Sequence, residues 1–329
     1  MTSLLSTLRN VVRLRLPDAA RHVVWFNSAV VAGCIDGSVM LMDDTDAATI
    51  VRGDSPVSAL LAHRDSIIAG FIHGEVVRAN QGRVATVGGG QGVPRALVGT
   101  PGGVAWASSH NVQIPRLDGT TASIHPEIGD IRCLAVVQGG LLIAGGVNGG
   151  AWVDTTLEIL DDSIAAPTLI AVAVDPARRF VAAGDLTGSI HLIDVGGMVG
   201  NELSGYPDRV HLLSWLASGR GLCAVADDEL TVWAVHDTGV DDGSPQQFLG
   251  HDQPITALAA HPRSDVLVTG DSAGMIRLWS PAVVDEPVAS AQLSGVILDM
   301  AWHPDGRHLA VGTSDGILTV LDMEVGSIA

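Results

Sequence analysis

The chain has 329 residues, of which 47% are apolar, and it carries 18 basic against 36 acidic side chains, a formal charge of −18. This composition excludes a disordered chain, and the negative charge disfavours nucleic acid and anionic membrane surfaces as partners. The three cysteines, Cys34, Cys133 and Cys223, are far apart and lack metal-site spacing. With no signal-peptide pattern at the start, they predict a cytoplasmic protein without a disulfide framework.

The first predicted element is a lone strand over residues 10–16, where apolar and basic side chains alternate. After it, short apolar runs that end in polar or glycine turns recur along the chain. The turns lie at Asp36-Gly37, His73-Gly74, His110-Asn111, Asn148-Gly149, Thr187-Gly188, Asp227-Asp228, Ala273-Gly274 and Asp315-Gly316. Their mean spacing of about 40 residues is typical of propeller blades.

Each repeat contains three clear runs of alternating polarity and a weaker fourth one, which predict a four-stranded sheet. Such a sheet must cover both faces, and radial stacking of sheets does so. We therefore predict an all-β fold, a single β-propeller domain over residues 1–329. Eight blades are favoured and seven are the alternative, with strand 10–16 closing the last blade. The polar stretch 237–245 is predicted to be an exposed loop.

The last two repeats contain motifs of a known family. The relevant residues are Leu249-Gly250-His251, Ala260-His261-Pro262, Thr269-Gly270, Ile276–Trp279, Trp302–Gly306 and Asp315-Gly316. Together they resemble WD40 repeats, and the resemblance implies a platform that binds proteins or peptides without catalysing a reaction.

The family's structural hydrogen-bond set consists of a His, a Ser or Thr, a turn Asp and a Trp. His251, Thr269 and Trp279 match this set, but Ala273 occupies the turn position, so we expect the set to be incomplete. These departures indicate a divergent WD40-like propeller, and we expect it to come from a bacterium.

Several motifs resemble catalytic or metal sites. Two GxSxG matches, Gly270–Gly274 and Gly312–Gly316, occupy turn positions and precede strand patterns, whereas a nucleophile elbow needs a following helix. His73 and His110 hold equivalent turn positions, but spacing identifies no further ligands for a metal ion. His125, His261 and His303 precede prolines and are interpreted as turn residues. We predict no catalytic residue, no metal site and no cofactor.

The leading functional hypothesis is a non-catalytic scaffold that binds a protein or peptide with a basic patch. The predicted contact residues are the exposed turn side chains Asp36, His73, His110, Asn148, Asp227 and Asp315. One alternative is a propeller that binds a small ligand or metal as a chaperone or sensor. A third is a propeller hydrolase or lyase, which would need a cluster of carboxylates or histidines with shifted pKa values.

Overall fold

The computed structural model describes residues 8–43, 46–89, 92–116, 120–156, 158–196, 200–240 and 243–323. These residues fall into two compact units. Unit 1 takes the described parts of Met1–Asp54 and Ser214–Ala329, and unit 2 is formed by Ser55–Leu213. Among the described residues, no helix has the length and apolar character needed to cross a membrane.

Unit 1 begins with five strands: β1 Leu8–Arg15, β2 Ala20–Phe26, β3 Ala29–Cys34, β4 Ser38–Met42 and β5 Ala47–Arg52. Unit 2 contains the next sixteen: β6 Val57–His63, β7 Ser66–Phe71, β8 Val76–Asn80, β9 Arg83–Gly88, β10 Pro94–Thr100, β11 Gly103–Ser108, β12 Asn111–Pro115, β13 Thr121–Ile124, β14 Ile131–Gln138, β15 Leu141–Gly146, β16 Gly149–Asp154, β17 Glu158–Ile164, β18 Leu169–Val174, β19 Phe180–Asp185, β20 Ser189–Asp194 and β21 Gly200–Ser204.

The chain returns to unit 1 within the next strand. The remaining strands are β22 Leu212–Trp215, β23 Gly221–Ala226, β24 Glu229–His236, β25 Gly239–Val240, β26 Gln246–Phe248, β27 Ile255–Ala260, β28 Leu267–Asp271, β29 Met275–Trp279, β30 Ala289–Gln292, β31 Ile297–Trp302, β32 His308–Thr313 and β33 Ile317–Met323.

The described strands form eight antiparallel sheets, as the preferred repeat count predicts. Unit 2 contains β6-β7-β8-β9, β10-β11-β12-β13, β14-β15-β16-β17 and β18-β19-β20-β21. Unit 1 contains β2-β3-β4-β5, β27-β28-β29-β30 and a sheet of order β22-β23-β24-β25 in which β26 also pairs with β24. Its last sheet has the order β1-β33-β32-β31.

The predicted closing strand is confirmed, with bounds that differ slightly from 10–16. Strand β1 pairs with β33 from Leu8 opposite Met323 to Arg15 opposite Ile317. The stretch 237–245 contains the short strand β25, whose Gly239 pairs with His236 and is buried. Residues 241 and 242 lie outside the described part of the chain.

The second strand of each sheet is buried on both faces, which explains why these segments appear in the sequence as unbroken apolar runs. All six residues of β3, and likewise of β23, are buried. Glycines in these strands allow a neighbouring segment of the chain to approach closely. A Cβ atom on Gly184 would lie 2.4 Å from the carbonyl oxygen of Val210, and one on Gly270 would lie 2.5 Å from Cγ2 of Ile297.

The first strands of most sheets share a β-bulge near their start. The bulges lie between Ala20 and His22, Val57 and Ala59, Pro94 and Ala96, Ile131 and Cys133, Leu169 and Ala171, Ile255 and Ala257, and Ile297 and Asp299. A bulge re-aims the extra side chain. Ser58 Oγ thereby donates to the carbonyl oxygen of Pro94 (2.8 Å), and Thr256 Oγ1 donates to that of Ile297 (2.6 Å), which links neighbouring sheets.

A buried carboxylate forms a hydrogen bond between the last sheet of unit 1 and the first sheet of the same unit. Asp299 on β31 accepts hydrogen bonds from the backbone N–H of Val23 (2.8 Å) and from that of Met300 (2.9 Å). Burial raises the pKa of Asp299 to about 6, although both hydrogen bonds favour the charged form. This carboxylate therefore ionises closer to neutral pH than an exposed aspartate does.

Candidate functional site

The predicted contact residues all lie in the turns that join the second and third strands of a sheet, which we call the central turns. In unit 1 these turns carry Asp36, Asp227, Ala273 and Asp315, and in unit 2 they carry His73, His110, Asn148 and Thr187. Asp36 is half-buried, whereas the other five predicted contact residues are exposed. The repeat thus places the predicted residues at one end of the sheets within each unit.

The segments that connect consecutive sheets lie against the central turns. The backbone N–H of Gly53 donates to the carbonyl oxygen of Gly37 at 2.9 Å, and that of Leu293 donates to Gly274 at the same distance. Gly274 has a φ of 86°, and a Cβ atom there would lie 2.5 Å from the carbonyl oxygens of Leu293 and Gly295. Glycine is therefore required where a turn and a connecting segment meet this closely.

The three aspartates of unit 1 that were predicted as contact residues differ in their hydrogen bonds and exposure. Asp36 Oδ1 accepts hydrogen bonds from the backbone N–H and the hydroxyl of Ser38, and its Oδ2 lies 3.8 Å from Arg52 Nη1. The pKa of Asp315 is lowered because hydrogen bonds, with Thr313 the strongest, outweigh the effect of burial. Asp227 is exposed and has a φ of 54°. Asp227 and Asp315 are exposed whereas Asp36 is half-buried, so the first two are more accessible to a partner.

In unit 2 the turn histidines have separate partners. His73 Nδ1 lies 2.7 Å from Ser55 Oγ, and its Nε2 lies 3.4 Å from a carboxylate oxygen of Glu75. His110 packs edge-on against His125, with 5.9 Å between the ring centroids. Within the described parts of the chain, neither His73 nor His110 belongs to a group of three close metal-ligating side chains.

Sequence reasoning missed an apolar feature of the central turns. Their first residue is an exposed large apolar side chain in several repeats: Ile35 in unit 1, and Ile72, Val147 and Leu186 in unit 2, each 38–48% exposed. Unit 2 also has Arg95 Nη2 and Arg132 Nη2 at 3.3 and 3.1 Å from Asp130 Oδ2. The sequence position before each predicted turn residue could have indicated the apolar feature.

Neither GxSxG match forms a nucleophile elbow. Ser272 lies in the turn between β28 and β29, and Ser314 lies in the turn between β32 and β33. Ser314 Oγ accepts a hydrogen bond from the backbone N–H of Val296 (2.9 Å), so it supports the connecting segment. A strand follows each serine, and neither has the strand–turn–helix geometry that acyl transfer needs.

The hydrogen-bond set of the seventh sheet is complete, contrary to our expectation. Trp279 Nε1 donates to Thr269 Oγ1 (2.8 Å), which lies 2.6 Å from His251 Nε2, and His251 Nδ1 lies 2.7 Å from Asp271 Oδ2. Asp271, two residues before Ala273, supplies the carboxylate. Its Oδ1 also accepts the backbone N–H groups of Ala273 and Met275.

Burial sets the protonation of this network. It lowers the pKa of His251, although the hydrogen bond and the charge of Asp271 act in the opposite direction. A neutral imidazole donates from Nδ1 to Asp271 and accepts the Thr269 hydroxyl proton at Nε2. All polar atoms of the network are then paired, so it acts in stability and offers no free group for catalysis.

Comparisons with known families match the C-terminal part of the chain. Residues 243–280 match the model of the WD domain, G-beta repeat. Residues 283–329 match that of the anaphase-promoting complex subunit 4 WD40 domain. These are the two repeats in which the sequence motifs are clearest.

Curated relatives match over a limited length. THO complex subunit 3 of Arabidopsis thaliana is 29% identical over 124 residues, which cover 37% of this chain and 39% of that protein. WD repeat-containing protein 55 of Bos taurus is 30% identical over 160 residues, which cover 46% of this chain and 41% of that protein. The chain thus spans about two fifths of the length of these relatives. Both are eukaryotic, so they give no support to the expected bacterial source.

Solved structures match nearly the whole chain. The computationally designed Ika8 protein aligns with a TM-score of 0.80 at 18% identity, covering 95% of this chain and 99% of that one. The WD40 β-propeller domain of Doa1 aligns with a TM-score of 0.66 at 13% identity, covering 97% of each. With eight antiparallel sheets, the fold is a β-propeller, and residues 243–280 and 283–329 are similar to WD40 family models.

Proposed function

We propose that the protein is a non-catalytic scaffold whose central turns bind a protein or peptide with a basic patch. The observation that carries this proposal is the set of exposed carboxylates on the turns of unit 1, Asp227, Asp228 and Asp315. Such carboxylates attract Lys and Arg side chains and accelerate encounter with a basic partner.

Two further observations support a protein partner. THO complex subunit 3 is named as part of an assembly, and the other relative is named for its WD repeats. The central turns also expose Ile72, Val147 and Leu186 in unit 2. Apolar residues beside polar ones are typical of protein contact surfaces. We also propose that the protein is cytoplasmic, as expected from the cysteines.

The test uses purified components. A partner captured from the host lysate is purified, and its dissociation constant is measured against the wild type and the double variant Asp227→Asn/Asp315→Asn. We expect at least a tenfold weaker complex, mainly through slower association, because the variant loses two negative charges without losing side-chain volume.

The control variant is Asp285→Asn/Glu286→Gln, which removes two exposed charges between β29 and β30, away from the central turns. It should bind like the wild type at 150 mM salt, where the Debye length is about 8 Å. Equal weakening by both double variants would show that net charge, and not the central turns, governs binding. No weakening by either variant would contradict the proposal.

A further inference from the structure

Three potential metal ligands meet where β31 turns into β32, in unit 1. His303 and Asp305 lie in this turn, and His308 is the first residue of β32. His303 Nδ1 is 3.0 Å from Asp305 Oδ1, and His308 Nδ1 is 3.3 Å from Asp305 Oδ2. One ligand atom from each residue lies within 4.8 Å of the others, and no other such group occurs among the described residues.

The preceding sheet contains a copy of the same turn, which shows what the fold itself requires. There His261 takes the place of His303, since each backbone N–H donates across the turn at 2.8 Å, His261 to Val266 and His303 to His308. Each ring also donates from Nε2 to a carbonyl oxygen of the next sheet: His261 to Gly306, and His303 to Asn27. The histidine at this position thus has the same structural role in both turns.

The other ring nitrogen is used differently in the two turns. His261 Nδ1 has three hydrogen-bond partners, the backbone N–H groups of Arg263 (3.1 Å) and Ser264 (2.9 Å) and the Ser264 hydroxyl (2.7 Å). His303 Nδ1 accepts a single longer bond, from the backbone N–H of Asp305 at 3.2 Å. Because Nε2 of His303 carries the proton given to Asn27, its Nδ1 presents a lone pair to the carboxylate of Asp305.

The position of His308 needs no histidine for the turn. Val266 holds this position in the preceding sheet, and Phe180 holds it in unit 2, where the backbone N–H of Asp175 donates to the Phe180 carbonyl oxygen at 3.0 Å. Both are buried apolar residues. His308 instead directs a ring nitrogen toward the second oxygen of Asp305. This contact is a single long hydrogen bond of 3.3 Å, and the valine of the preceding turn cannot make it. The three groups therefore converge although the repeat does not require them to do so.

We propose that His303, Asp305 and His308 bind a divalent transition metal of the zinc class. Two imidazole nitrogens and one carboxylate oxygen are ligands that Zn²⁺, Cu²⁺ and Ni²⁺ accept, and water completes the coordination of a half-exposed site. Ligands held about 2.0–2.2 Å from a tetrahedral ion lie roughly 3.3–3.6 Å apart. The two nitrogen–oxygen distances, 3.0 and 3.3 Å, are close to this spacing but involve different oxygens of Asp305. The three ligand atoms lie within 4.8 Å of one another, so binding requires a small rearrangement of the side chains.

The primary test is calorimetric titration of the purified chain with zinc chloride. We expect one ion per chain with micromolar affinity, and at least tenfold weaker binding by His308→Val and by Asp305→Asn. Valine is chosen because Val266 occupies the same position in the neighbouring turn. His125→Ala removes an exposed histidine elsewhere and should bind zinc like the wild type. Absence of binding by the wild type, or unchanged binding by both cluster variants, would overturn the proposal.

Trp25 provides a second readout, because its ring centroid lies 4.6 Å from that of His303. Cu²⁺ at the cluster should quench part of the tryptophan fluorescence, and removal of the copper with EDTA should restore it. The Trp25→Phe variant should keep its zinc affinity and lose most of this quenching. Quenching that persists in both Trp25→Phe and His308→Val would place the copper elsewhere and would refute the site.

Discussion

The glycines of the second strands should be far more sensitive to added volume than glycines in exposed turns. In Gly184→Ala the new Cβ atom would stand 2.4 Å from the carbonyl oxygen of Val210 and 3.0 Å from its Cγ1. This carbonyl belongs to the segment between β21 and β22, which is held in place because the backbone N–H of Val210 donates to the carbonyl oxygen of Asp185 at 3.0 Å. The segment that carries Val210 must therefore move to admit a methyl group.

The expected magnitude follows from two opposing contributions. Overpacking a buried site costs about 1–3 kcal/mol. Replacing glycine by alanine reduces the entropy of the unfolded chain and contributes about 0.4–1 kcal/mol of stability. The net effect of Gly184→Ala should be a loss of roughly 1–2 kcal/mol in the free energy of unfolding.

The matched control lies in the same unit. Gly102→Ala places its Cβ atom 3.9 Å from Thr100 Oγ1, and the turn is exposed, so the substitution should be neutral or slightly stabilising. Urea unfolding of both variants beside the wild type gives the midpoints, and equal slopes allow these to be compared as stabilities. The reasoning is refuted if Gly184→Ala unfolds at or above the wild-type midpoint, or if both variants shift alike.

Two further predictions concern buried polar groups. Thr269→Val should cost about 2–4 kcal/mol, because Trp279 Nε1 and His251 Nε2 both lose their partner in a buried network; a urea midpoint equal to that of the wild type would contradict this. Because the pKa of Asp299 is raised to about 6 in the folded chain, its contribution to stability is fully present below the unfolded value near 4. That contribution, on the order of 2–3 kcal/mol, is lost as the pH rises through 6. Between pH 4 and 7.5, the free energy of unfolding should therefore change less with pH in Asp299→Asn than in the wild type. An equal pH dependence of the two proteins would refute the assignment.

Much of the fold could be predicted from the sequence because each repeat of the sequence must meet the same requirements of burial and turn geometry. Each second strand must be apolar on both faces, and each central turn needs a polar or glycine residue. The fourth strand of each sheet was harder to recognise in the sequence, because it lies at the edge of the sheet and is less buried than the second strand. In β9, the residues Arg83 to Thr86 are exposed, so burial does not impose a clear alternation on them.

The candidate sites could be predicted less completely, for reasons of geometry. Asp271 was missed because the turn position of the family motif is residue 273, while a carboxylate two residues earlier reaches His251 equally well. His308 was missed because His303 was interpreted only as a turn residue, although the four residues between them fall within the H-x3–5-H spacing of zinc ligands. The register of the hairpin, in which His303 N–H donates to the His308 carbonyl, brings the two residues together.

The pairing of β1 with β33 has a consequence for biosynthesis. A ribosome releases Leu8 long before Met323, so β1 must wait for almost the entire chain before its partner exists. Contacts this distant in sequence slow folding and leave an unpaired edge exposed in the meantime. Translation speed and chaperone access should therefore influence the yield of this protein more than that of a fold with local strand pairing.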